Sequence, residues 1–239
     1  MVIGHGVEVP NSVGLYGGMP GACAYHLMRP SSADVGDLIA RYHDAESVMS
    51  DPEVRDLGAK PGGFKIGRGD VFAYTFQGGG GYGDPLQRDP TRVARDVEDG
   101  YVSSRSAAEH YGVEFENGSM VPDLAATEAK RAAIRRERLG GRRPSAATPQ
   151  RNDPLAVDMR IAADGHFHCG CGGDLGPIDG NWKDRSTART IAPEACGFHV
   201  HLHDELTLRE FSCPECATLL EVEVLRKDEE PLWNMALRR

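Results

Sequence analysis

The sequence predicts an α+β chain, with a glycine-rich segment of strands and helices followed by a small β domain organised by cysteines. Three observations predict it. From Met1 to about Gln77 glycine and proline are dense around short apolar runs. Helix start and stop signals then recur between Asp89 and Gly141. Beyond Ala156 the apolar residues fall in short β-type runs beside two closely spaced cysteine pairs. This divides the chain into a first unit over 1–140, a linker over 141–155 and a second unit over 156–239.

Each element has a local reason. Val35, Leu38, Ile39, Tyr42 and His43 have helical spacing within Ser32 to Asp56. Val71 to Phe76 is β-branched and aromatic, which favours a strand, and Lys65 to Asp70 reads as the turn feeding it. Asp89-Pro90 caps and begins a helix striped by Val93 and Val97 and closed at Gly100. Ser103-Ser104 starts a second, through Ala107 and Ala108 to about Gly112. Ala125 to Leu139 makes a third, ended by Gly140-Gly141. Arg142 to Pro154 lacks periodicity and reads as the linker. In the second unit Ala156 to Ile161 leads into Cys169, while Glu205 to Phe211 and Thr218 to Val224 flank Cys213 and Cys216 as hairpin arms would.

Composition sets limits. The chain has 239 residues, 40% hydrophobic and 26% charged, an ordinary globular balance. No apolar run approaches the ~18 residues a membrane span needs, so no membrane partner is expected. The first residues, Met1 to Gly6, lack signal-peptide regions, and Val2 is incompatible with myristoylation; a cytoplasmic location is expected. A formal net charge of −9 disfavours nucleic acid as a partner. The basic run Lys130 to Arg138, with Arg142 and Arg143, reads as a solvated helix face, the sharper alternative being a patch for an acidic partner subunit.

Six cysteines in a reducing compartment point to metal or free thiols before disulfides. Cys213-Pro214-Glu215-Cys216 has the spacing that lets two thiolates reach one ion from a single turn. Cys169-Gly170-Cys171-Gly172-Gly173 is a tighter C-x-C version whose glycines allow close approach. Two such pairs joined by strand-like sequence predict a zinc-ribbon-like site with Cys169, Cys171, Cys213 and Cys216 as ligands. Four thiolates fill a tetrahedron and leave no position for water, so the zinc is read as structural. A redox C-x-x-C is the rival, but it lacks a βαβ context.

Other candidates carry less. His166 and His168 flank Cys169 and compete as ligands. His199, His201 and His203 alternate with apolar residues, which on a strand places them on one face; a polar face or subunit contact is preferred over a second metal site. Cys23 and Cys196 read as small buried residues, with no visible partner for a catalytic thiol. Gly78 to Gly81 lacks the phosphate-loop and dinucleotide patterns, so a tight turn allowing close backbone packing is preferred over an anion cradle.

The run Gly78 to Pro85, followed by Arg88-Asp89-Pro90, Val93, Asp96-Val97, Gly100, Val102-Ser103, Ala107 and Tyr111-Gly112-Val113, resembles the C-terminal end of hydantoinase B-type subunits. These include the large subunits of acetone and acetophenone carboxylases. Gly14 to Gly21 and Gly67 to Asp70 resemble earlier landmarks of the same tail, and the resemblance spans about Met1 to Leu139. The C-x-C-G and C-P-x-C pairs are similar to those of the small zinc-holding subunit of the same carboxylases.

The resemblance implies a non-catalytic, structural subunit of an ATP-dependent, biotin-independent carboxylase of a ketone or related carbonyl compound. ATP and a divalent metal would sit on larger hydantoinase A-type and B-type partner subunits. The family's metal and substrate regions precede this tail, so they are expected on a separate polypeptide whose fold this chain completes. Two alternatives stay open: a subunit of an ATP-dependent hydantoinase, oxoprolinase or lactamase opening cyclic amides, and a free-standing zinc-ribbon adaptor.

Overall fold

The structure, a computed structural model, describes residues 3–30, 36, 40, 45–149, 158–197 and 199–233. It is a mixed α/β chain whose sheets are small and antiparallel. The first sheet has β1 (Tyr25–Arg29) between β2 (Arg55–Asp56) and β3 (Val71–Thr75). Tyr25 and Leu27 of β1 pack with Val48 of α1 (Ala45–Met49). The helical stripe expected from Val35, Leu38, Ile39, Tyr42 and His43 lies outside the described residues. Lys65 to Asp70 contains the expected turn, closed where the Asp70 N–H donates to the Gly67 carbonyl at 3.3 Å.

The glycine run corrects one expectation. Gly78 to Gly81 do not form a tight turn; they lie alongside residues 12–22. The Gly78 N–H donates to Ala22 and the Gly81 N–H to Met19, while Leu15 donates to the Gly81 carbonyl, at 2.8–3.0 Å. A Cβ on Gly80 would overlap the Val13 carbonyl, and one on Gly18 the Gly81 carbonyl. The close backbone packing that glycine permits is thus present, between two extended segments. Those N–H groups are spent on carbonyls and do not point to an anion.

Three capped helices follow. α2 (Pro90–Glu98) starts where the Asp89 carboxylate accepts from the Thr91 and Arg92 N–H groups and is followed by Gly100 at φ 77°. α3 (Ser104–Glu109) is capped by Ser103, which accepts from Ser106. α4 (Leu124–Arg138) is capped by Asp123 and followed by Gly140 and Gly141 at φ 63° and 92°. Val93, Ala107 and Val113 make the shared core of the first two.

The basic face of α4 is corrected in part: Arg136, Arg142 and Arg143 are exposed as expected, but three others are not. Arg131, Arg135 and Arg138, spaced by four and three residues, are buried. Arg131 donates to the Tyr111 and Arg88 carbonyls at 3.0 and 2.7 Å. Arg138 makes a two-pronged pair with Asp84, at 2.7 and 3.1 Å, and also donates to the Ala217 carbonyl at 3.2 Å. The physical reason at Arg131 and Arg138 is that guanidinium can be buried where acceptors meet it in fixed geometry.

In the C-terminal part, β4 (Met159–Ile161), β5 (His166–Cys169) and β6 (Asp174–Pro177) form one meander. β7 (Thr187–Ile191), β8 (Leu206–Ser212) and β9 (Leu219–Arg226) form another, and β8 and β9 are the expected hairpin arms. Met159, Phe167, Leu175, Trp182, Phe211 and Leu220 pack around the cysteines. The 199–203 stretch carries no strand. It runs beside residues 23–25, where the Cys23 N–H donates to the His199 carbonyl at 2.7 Å and both His199 and His201 meet the Tyr25 ring edge-on. The expected strand is absent there, because this backbone bonds to the N-terminal segment and not within a sheet, although His199 and His201 do share one side, against Tyr25.

Candidate metal centre

Each cysteine pair sits where a strand meets a turn. Cys169 ends β5, and its N–H donates to the Gly173 carbonyl while Gly172 N–H donates back to Cys169, at 2.9 and 2.8 Å. Gly172 takes φ 98°, which only glycine adopts at little cost. A Cβ on Gly173 would come within 3.2 Å of the Cys213 sulfur, so the second glycine keeps the cluster open. In the other turn Cys213 N–H donates to Thr218 and Ala217 N–H to Cys213, at 2.9 and 3.0 Å, with Ala217 held at φ 62°.

The two turns bring the Sγ atoms of Cys169, Cys171, Cys213 and Cys216 within 4.8 Å of one another. Cys169 and Cys216 sulfurs are 3.6 Å apart and those of Cys171 and Cys213 3.7 Å. A tetrahedron with Zn–S of about 2.3 Å has S···S edges of about 3.8 Å, so the donor set fits zinc in number, kind and spacing. Gly173 N–H at 3.4 Å from Cys171 and the Thr218 hydroxyl at 3.1 Å from Cys216 support the sulfurs from outside. The sulfurs compete for protons: hydrogen bonds from Cys169 and Cys213 hold Cys216 low, while contact with Cys213 and Cys216, then burial, pushes Cys169 up. A divalent cation at the centre removes that competition, since a coordinating thiol is deprotonated outright.

The neighbouring histidines are otherwise engaged. His166 Nδ1 meets Asp174 at 2.8 Å, and His168 meets Asp164 and the Gly172 carbonyl at 2.9 and 3.1 Å. Among the described residues no other group of three His, Cys, Asp or Glu side chains comes together as a metal site, at His199, His201 and His203 or elsewhere. Cys23 is buried and Cys196 half-buried against the Ile191 cluster. Burial raises both thiols, that of Cys196 to about 12.

Sequence reasoning missed what ties this centre to the rest of the chain. Asp84 accepts from the Leu219 N–H at 3.0 Å as well as from Arg138 and Leu86. The stretch expected to be a linker also touches the second cysteine turn: Ser145 and Ala146 N–H groups reach the Glu215 carbonyl at 2.8 and 3.2 Å. The arginine spacing in α4 was visible in sequence; its buried partner 54 residues away was not.

The site defines a class: a mixed α/β chain with a closed four-thiol cluster able to bind a metal such as zinc. No family model matches the chain. It is 32% identical over 148 residues to the acetone carboxylase alpha subunit of Xanthobacter autotrophicus, covering 55% of this chain and 19% of that one. It is 40% identical over 101 residues to the caprolactamase subunit beta of Pseudomonas jessenii, covering 41% and 16%. It is 39% identical over 66 residues to the acetophenone carboxylase delta subunit of Aromatoleum aromaticum, covering 27% and 10%. The chain thus spans about a fifth or less of the length of these relatives. A solved nucleotide-free structure of acetone carboxylase, from work on ATP-dependent acetone carboxylation, matches 55% of this chain and 19% of that one at 30% identity, with a TM-score of 0.41. Among the described residues no helix is long and apolar enough to cross a membrane.

Proposed function

We propose that this chain is a structural subunit of a multi-subunit, ATP-dependent, biotin-independent carboxylase acting on a ketone or related carbonyl compound. The similarity to the acetone carboxylase alpha subunit, the longest of the three alignments, carries this reading. The chain's contribution is architectural. The 1–140 unit completes the fold of a hydantoinase B-type partner, and the 156–239 unit, braced by zinc on Cys169, Cys171, Cys213 and Cys216, fastens it. The zinc is held by four thiolates, which leaves it no open position for substrate. Nucleotide and catalytic metal belong to larger hydantoinase A-type and B-type subunits.

A second reading rests on the similarity to a caprolactamase subunit: ATP-driven opening of a cyclic amide. Carboxylation is preferred because two carboxylase subunits are matched and the cysteine pairs resemble the small subunit of such enzymes.

The test is to purify the tagged chain from its native cell. Co-purification with two larger subunits and ATP turnover that requires ketone plus bicarbonate is the expected result. Turnover with a lactam and no bicarbonate selects the second reading. A stable monodisperse monomer with no associated turnover overturns both and leaves a free-standing zinc adaptor.

A further inference from the structure

Five arginines line one groove of about 1060 Å³ between α4, the turn at Pro85–Gln87 and the 143–149 stretch. They are Arg88, Arg131, Arg135, Arg136 and Arg143, and the carboxylates beside them are Asp89 and Glu128. Asp89 caps α2, and Glu128 pairs with Arg135 at 3.3 Å; both carboxylates also attract Arg131. Arg88 turns to Asp96 at 2.6 Å. Among the described residues Arg136 and Arg143 have no ion-pair partner.

Like charges this close oppose one another. Burial first and then repulsion from Arg135 depress the pKa of Arg131. The free forks of the exposed Arg136 and Arg143, in a groove with more guanidinium than carboxylate groups, suit a compact polyanion. Leu86, Pro144 and Pro149 add apolar lining for an organic moiety.

We propose that this groove binds a phosphate-bearing small molecule. Phosphate concentrates charge and acceptor oxygens on one centre, which matches guanidinium groups gathered in one cavity better than the single charges spaced along an acidic peptide. The site is independent of the metal centre and of the reading above.

Inorganic pyrophosphate and AMP, titrated calorimetrically into the full chain at low and at physiological salt, test it. Saturable binding is expected, with a rise in melting temperature. The exposed pair Arg136→Gln and Arg143→Gln together should weaken it at least about tenfold. Arg92→Gln and Arg95→Gln, two exposed arginines on α2 that do not line this groove, should leave it unchanged. The proposal is overturned if the control pair weakens binding equally, if the groove pair has no effect or if sulfate at matched ionic strength behaves identically. Tighter binding of hexaglutamate than of pyrophosphate overturns it too, in favour of an acidic partner segment.

Discussion

Asp84 shows what one residue contributes. Its two fully buried oxygens accept from Arg138, Leu86 and Leu219, joining a turn, a helix and β9. Replacing Asp84 by Ala leaves the Arg138 guanidinium buried without its counter-charge, and a broken buried pair costs about 3–5 kcal/mol. Urea unfolding of Asp84→Ala should show a loss of that size, whereas Glu137→Ala, at an exposed pair with Arg189, should lose about 1 kcal/mol or less. A second residue-scale expectation concerns protons. Burial lowers the pKa values of His110, His199 and His201 in the folded chain. Below the unfolded value of about 6.5 the unfolded chain therefore binds more protons, so stability falls as pH drops through that region. His168, raised chiefly by the Gly172 carbonyl and then by Asp164, works in the opposite direction. Urea midpoints should fall between about pH 7.5 and 5.5, and His110→Gln should flatten part of the slope. An unchanged slope in that variant would show that His110 is not shielded. Asp84 was illegible beforehand because its value lies in partners far along the chain, while a run of arginines alone reads as solvated.

At the scale of elements, what was legible is what is local. Asp89 and Ser103 each cap the helix that follows by bonding an N–H two or three residues on, so the sequence carries both partners of the signal; Asp123 does the same for α4, which was expected to start uncapped at Ala125. The hairpin of β8 and β9 was legible for the same reason, since its turn holds a cysteine pair of recognisable spacing. The glycine run was half legible: absent Cβ atoms announce close packing, but not against which backbone. That distinction predicts opposite outcomes at adjacent positions. Gly80→Ala drives a Cβ into the Val13 carbonyl and should destabilise by about 1–3 kcal/mol. Gly79→Ala meets nothing within 4 Å and should stay within about 0.5 kcal/mol of the parent. Thermal melts of the two variants side by side check this, and equal losses would remove the argument from contact.

At the scale of the molecule, the gathering of four cysteines that could hold a metal was legible because spacing and residue type suffice for it, yet its connection to the first half was not. Ala217, immediately after Cys216, offers its carbonyl to Arg138, and Leu219 two residues later donates to Asp84. A Cβ on Gly17 would overlap the Leu219 carbonyl, so the N-terminal segment rests on the same spot. Zinc binding free energy is folding free energy where the site orders its own turns. Removing zinc with a chelator, or by Cys213→Ser, should therefore loosen more than the cysteine turns. Hydrogen exchange should show lost protection at the amides of Leu219 and Leu86, both bonded to Asp84, along with those of Cys169 and Cys213. The amide of Ala107, donating from α3 to the carbonyl of its cap Ser103, should keep its protection, since it lies in a core the four clustered cysteines do not touch. Metal content fixes the ligand set in the same samples: one zinc per parent chain and none in Cys213→Ser is expected. If Leu86 keeps full protection after the metal has left, the centre braces only its own turns, and the Asp84 junction holds without it.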